Sequence, residues 1–146
     1  MIGLLQRVSR AEVSVEGRIV GRIDRGLMVL VAVHRDDAEP DIARLAERIL
    51  TYRVFPDAEG RMNRSVQDEA GGLLLVPQFT LAADTNKGMR PSFSSAAEPA
   101  EGRRWFEYLA EKAAQRHAPV AVGVFGADMK VGLVNDGPVT FWLQAH

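Results

Sequence analysis

The chain has 146 residues, 47% of them apolar, carries no cysteine and has a formal net charge of −1. That length and apolar share suit a single domain spanning residues 1–146, and the missing cysteines exclude a disulfide framework, a thiol nucleophile and a thiolate zinc site. A charge near zero argues against broad, non-specific coating of nucleic acid, which needs many Lys and Arg contacts to phosphate, but it leaves room for a partner gripped at one end.

The start, Met1-Ile2-Gly3-Leu4-Leu5, turns polar at Gln6 and Arg7. It is too short for a signal-peptide core, and no later stretch approaches the roughly 20 apolar residues of a membrane span. The expectation is a cytoplasmic protein without a membrane partner. Ala11, Val13 and Val15 then alternate with polar residues as a half-buried strand does, Glu16-Gly17 reads as a hairpin turn, and Ile19 and Ile23 mark the returning strand. Leu27 to Val33 is an unbroken apolar run, as in a strand buried on both faces. Pro40 sits where a first helical turn tolerates it, and Ile42, Leu45, Ala46, Ile49 and Leu50 form an apolar stripe at helical spacing.

Phe55 to Gly60 is turn chemistry, and Gly71-Gly72 precedes a second buried strand, Leu73 to Val76, which runs on into Gln78-Phe79-Thr80. Ala83 to Ala97 is rich in small and polar residues and reads as a long ordered loop, a length often tied to function. A helix starts near Pro99 and buries Trp105, Phe106, Leu109, Ala110 and Ala113. Val120, Val122 and Val124 suggest another strand, Gly126 to Met129 a turn, and Val131 to Leu143 a C-terminal strand. The order predicts an α+β domain with a mixed, mostly antiparallel, barrel-like sheet and two helices on one face.

The candidate chemistry is sparse in side chains. None of His34, His117 and His146 stands at metal-ligand spacing from another, and there is no Gly-x-Ser-x-Gly elbow or Gly-rich phosphate loop, so no metal and no cofactor is expected. The C-terminal strand carries Gly137-Pro138 where its period of two asks for ladder residues. Proline cannot donate to a ladder, and X-Pro is the one common peptide bond for which cis is cheap, about 0.5–1 kcal/mol. On its own Asn135-Asp136-Gly137-Pro138 reads first as an ordinary turn. A cis bond there would turn the chain sharply and aim neighbouring carbonyls the same way, a rigid acceptor pair for an amine.

Five segments taken together resemble the D-aminoacyl-tRNA deacylase family: Leu5 to Ala11, Gln78-Phe79-Thr80-Leu81, Lys87-Gly88-Met89-Arg90-Pro91-Ser92-Phe93, Phe125 to Met129, and Asn135 to Thr140. The resemblance runs through the chain in order. It implies the fold of that family, a homodimer with its active site at the subunit interface, and hydrolysis of the ester between a D-amino acid and the 3′ end of tRNA. It further implies that Gln78, Phe79 and Thr80 form the catalytic pocket floor. Gly137 and Pro138, with Arg7 and Met129, would hold the substrate amine and reject L-amino acids, and glycine would be cleared from mischarged alanine tRNA. Arg7 is expected to hydrogen-bond the Gly-Pro peptide, and Lys87 and Arg90 to contact the tRNA acceptor end. The family usually has serine before the Gln, where this chain has Pro77. Thr80 is read as positioning rather than nucleophilic, since no base stands near it in sequence. A non-catalytic dimeric binder of D-amino acids or RNA ends, and a threonine-dependent esterase, are the alternatives.

Overall fold

The computed structural model describes residues 1–146. Strand β1 (Ile2–Val15) is the organiser, pairing antiparallel with β2 (Arg18–Ile23) and β3 (Gly26–Ala32) along one edge and with β8 (Lys130–Gln144) along the other. Helix α1 (Glu39–Thr51) follows β3, and a small ribbon of β4 (Phe55–Pro56) and β5 (Met62–Arg64) replaces the simple turn expected at Phe55 to Gly60. Strand β6 (Gly72–Pro77) lies parallel to β3, and after helix α2 (Pro99–Ala114) strand β7 (Val120–Val122) lies parallel to β6. Val124, expected to continue β7, falls beyond its end. The sheet order β2-β1-β3-β6-β7 brings its edges back together: a Cβ on Gly21 of β2 would lie 2.9 Å from the Val122 carbonyl oxygen of β7. The result is a nearly closed barrel.

The two faces of this sheet are filled by different residues. Leu5, Leu27, Val29, Leu73 and Leu75 meet Ile42, Leu45, Ile49, Phe106 and Leu109 of the two helices in one cluster. Val8, Val13, Ile23, Met28, Leu74 and Val76 fill the barrel interior in a second. β3 and β6 therefore read as continuous apolar runs because both of their faces are buried. In β1 the inward face changes from even to odd residues after Val8, where the pairing with β8 slips by one residue, from Val8↔Asn135 to Arg10↔Val134. That bulge turns Ala11 and Val13 into the barrel, as a one-residue slip must.

Helix α1 starts with Asp41 accepting the Ala38 N–H at 2.8 Å, and the Tyr108 hydroxyl of α2 donates to Glu39 of α1 at 2.5 Å. The Met1 α-amino group, fully buried, pairs with Asp37 at 2.6 Å. No helix is long and apolar enough to cross a membrane. At the β3–β6 crossing a Cβ on Gly26 would stand 1.9 Å from the Gly72 carbonyl oxygen, a backbone atom with no room to yield. Gly26→Ala is expected to lower the unfolding free energy by about 3 kcal/mol, the upper end for overpacking, read as a fall in the urea midpoint.

Candidate active site

The end of β6 shapes the site. Gly123 donates to the Leu75 carbonyl at 2.8 Å as the last β6–β7 bond, and Gln78 donates to the Val31 carbonyl at 2.7 Å on the β3 side. The next parallel rung toward β7 would run from the N–H of residue 77 to Gly123, and Pro77 has none. The ladder stops there. The chain then leaves the sheet, so Phe79–Ala82 forms a 3₁₀ turn rather than the strand continuation expected for Gln78-Phe79-Thr80. Leu81 donates to the Gln78 carbonyl at 3.2 Å, and the N–H groups of Phe79 and Thr80, first in the turn, are taken by no loop carbonyl and no side chain. The Gln78 side-chain amide donates to the Thr80 hydroxyl. Phe79 is 55% exposed, contrary to the core role its residue type suggests, and its ring meets Phe93 at 5.1 Å.

Beside this turn lies a cavity of about 400 Å³ walled by Pro77, Gln78, Phe79, Phe125 and Met129, among others, with Asp128 the one ionisable residue in its lining. Asp128 is paired with Lys130 at 3.3 Å. The Met129 sulfur accepts the Val124 N–H at 3.4 Å, and Gly123 makes room for it, since a Cβ there would be 2.9 Å from Sδ and 3.3 Å from Pro77 Cδ. The structure thus brings Gln78, Phe79 and Met129 together. Thr80 opens instead onto an adjoining groove with His34 and Trp142, and Gly137, Pro138 and Arg7 line neither space in their own chain.

Gly137 and Pro138 sit on a protrusion of β8. Between Val8↔Asn135 and Gln6↔Thr140, β8 advances five residues while β1 advances two, so the excess chain loops out and Asp136, Gly137 and Pro138 are exposed. The Gly137-Pro138 peptide is cis, as is Ala118-Pro119. Gly137 has φ +152°, and a Cβ there would lie 2.7 Å from the Val139 nitrogen, which only glycine tolerates. Arg7 does anchor the loop, but one peptide earlier than expected: Nε donates to the Asp136 carbonyl at 2.9 Å while Nη1 donates to Val54 at 2.7 Å. Asn135 closes the base, accepting the Val139 N–H at 2.7 Å and donating to Thr140 Oγ1 at 2.9 Å. Sequence reading missed Asn135, whose signal was an amide side chain placed where the strand had to widen. It also missed Phe125 as a cavity wall.

Lys87 and Arg90 project from a loop pinched at its base, where Asp84 and Ser92 exchange two backbone hydrogen bonds at 2.8 and 2.9 Å. Neither cation pairs with a carboxylate, and Met89 between them is 99% exposed. His34 Nδ1 faces the Ser95 carbonyl at 3.3 Å and His117 Nε2 that of Gly71 at 2.6 Å, both structural placements. No cluster of three His, Cys, Asp or Glu side chains is arranged to hold a metal ion.

This architecture has known relatives. A family model described as D-Tyr-tRNA(Tyr) deacylase matches residues 4–144. The chain is 63% identical over 146 residues to a D-aminoacyl-tRNA deacylase of Alkalilimnicola ehrlichii, covering 100% of this chain and 97% of the relative. It is 60% identical over 144 residues to one of Methylococcus capsulatus, covering 99% and 94%. Among solved structures, a c-Myc DNA Unwinding Element Binding Protein superposes with a TM-score of 0.95 at 34% identity, covering 100% and 99% of the two chains. A probable eukaryotic D-amino acid tRNA deacylase superposes with a TM-score of 0.83 over 97% of both chains, at 17% identity a likeness of fold alone. The chain belongs to the D-Tyr-tRNA(Tyr) deacylase family, and with it is an enzyme, a hydrolase.

The protrusion depends on Asn135, whose loss would strand the half-buried Val139 N–H. Asn135→Ala is expected to cost about 1–3 kcal/mol in thermal or urea unfolding and to raise hydrogen exchange at Val139.

Proposed function

We propose that this enzyme hydrolyses the ester joining a D-amino acid to the 3′ end of tRNA, working through main-chain groups. The observation that carries the reading is the pair of unspent N–H groups at Phe79 and Thr80, on a turn beside a cavity whose lining has one ionisable residue, already paired. As water adds to the ester carbon, its proton relayed by a ribose hydroxyl of the tRNA to the ribose oxygen that leaves as the alcohol, those donors stabilise the oxygen that becomes negative, an effect typically worth about 10²–10³ per donor. The ester is already activated, so little further barrier lowering is asked of the protein. Thr80 positions: its oxygen is engaged by the Gln78 amide, and no His, Asp or Glu side chain is hydrogen-bonded to it as an activating base.

Handedness is sensed by the Gly137-Pro138 main chain of a second copy. The loop is anchored by Arg7 and exposed, and it does not line the cavity of its own chain, which suits donation across a twofold axis. There it holds the substrate amine and collides with the side chain of an L-amino acid, while Met129 forms the opposite wall. Glycine, without a side chain, escapes that exclusion and is cleared from mischarged alanine tRNA. Phe79 and Trp142, 55% and 51% exposed in the single chain, suit burial in a homodimer. Lys87 and Arg90 face the acceptor end of the tRNA, and the single domain of residues 1–146 acts in the cytoplasm.

Hydrolysis of D-tyrosyl-tRNA with L-tyrosyl-tRNA left intact is the expected result; equal cleavage of both would sink the reading. Thr80→Ala should retain turnover within about tenfold, a barrier change of about 1.4 kcal/mol, whereas complete loss would establish Thr80 as the nucleophile. Because Pro77 acts by ending a ladder and walling the cavity, Pro77→Ser should change D-specific turnover by less than about tenfold. A gain of several orders of magnitude would mean that the family's serine hydroxyl is required.

A further inference from the structure

Around the cavity the surface charges are mostly cancelled: Asp128 by Lys130 at 3.3 Å, and Arg104 by Glu101 at 3.0 Å. Two charges are the exceptions: Glu98, between the lining residues Ala97 and Pro99, and Arg103, on the first turns of α2, form no ion pair. The Arg103 guanidinium carbon lies 5.4 Å from the centre of the Phe125 ring, and Nη2 donates to the Phe125 carbonyl at 3.4 Å. A Cβ on Gly126 would come 3.9 Å from the same Nη2. Phe125 and Gly126 both line the cavity, so the guanidinium is fixed at its rim by a ring and a carbonyl that use one face and one donor. The other N–H donors of the fork remain free.

An aminoacyl ester entering that cavity is carried on a terminal nucleoside, and the first charged group behind it is a phosphodiester. We infer that Arg103 binds this phosphate, the one immediately 5′ of the terminal nucleoside, and so holds the end of the tRNA in register with the Phe79–Thr80 turn. The assignment rests on the deacylase reading and adds to it a binding residue outside the segments that carry the family resemblance. Guanidinium suits the task, because its planar fork grips phosphate oxygens while its face stays on the aromatic ring. Arg104 is one residue away, but its charge is already committed to Glu101.

The test compares two substrates, D-tyrosyl-tRNA and the D-tyrosyl ester of adenosine, which carries no phosphate. Arg103→Ala should raise KM for the tRNA about tenfold with kcat unchanged and reduce the slope of log kcat/KM against log salt by about 0.7, the value for one contact to single-stranded nucleic acid. Arg103→Lys, which keeps the charge but not the fork, should restore the salt slope and only part of the loss in KM, and cleavage of the adenosine ester should be the same in all three proteins. An unchanged KM and salt slope in Arg103→Ala, or an equal loss on the adenosine ester, would overturn the inference while leaving the deacylase reading intact. If the wild-type enzyme cleaves neither substrate, the deacylase reading itself falls and takes this inference with it.

Discussion

The antiparallel pairing of β1 with β8 is the constraint on which the rest depends. It joins the two ends of the chain along almost the whole of both strands, from Ile2↔Gln144 to Ser14↔Lys130. Two irregularities in that ladder do the structural work. The first, at Val8 to Arg10, exchanges the faces of β1, so one strand serves the helix-side core with its first half and the barrel interior with its second. The second lets β8 run ahead and push out Asp136, Gly137 and Pro138. A loop built this way is fastened at both feet by strand pairing and by Asn135, and braced by Arg7, whose other donor reaches Val54 just beyond α1. Its main chain is held in place by neighbours that do not themselves project outward.

The same economy governs the cavity. A strand that loses its ladder at a proline must turn away, and a tight turn leaves its first N–H groups unspent. Pro77 therefore opens the sheet and, through the turn that follows, supplies the polar groups. Gly123 is small because Met129 and Pro77 occupy the space a side chain would need. In the proposed reading an activated ester asks for orientation and for stabilisation of one developing charge, and main-chain donors supply both without a side chain whose protonation must be tuned.

Much of this was legible in the residues. Apolar runs at Leu27 and Leu73 gave strands buried on both faces, the stripe from Ile42 to Leu50 gave α1, and Pro99 marked the start of α2. The Gly137-Pro138 pair stood out because it contradicted the strand around it. What periodicity could not reveal was set by partners distant in sequence. Gln78-Phe79-Thr80 has strand-forming residues, but β7 ends at Val122 and Pro77 breaks the ladder on that side, so after the single Gln78 bond to Val31 the chain leaves the sheet. Arg7 and the Asp136 carbonyl lie 129 residues apart, and only the register of the ladder decides which carbonyl the guanidinium meets. The face exchange in β1 was likewise hidden, since Leu5 and Val13 share parity but belong to opposite sides of the sheet.

The cavity wall combines stiff and pliant parts. Proline, two aromatic rings and a pinned turn border it on several sides, whereas Met129 is unbranched and tethered only at its sulfur. Size and stereochemistry then become separable demands. In the proposed reading a bulkier substrate side chain is met by re-folding one thioether, at a small cost and with no movement of backbone. The mirror-image substrate meets a surface that has no rotamer to change. On that reading, tolerance of side-chain size and intolerance of the wrong hand coexist in one compartment because different kinds of matter, a soft side chain and a fixed main chain, answer to each.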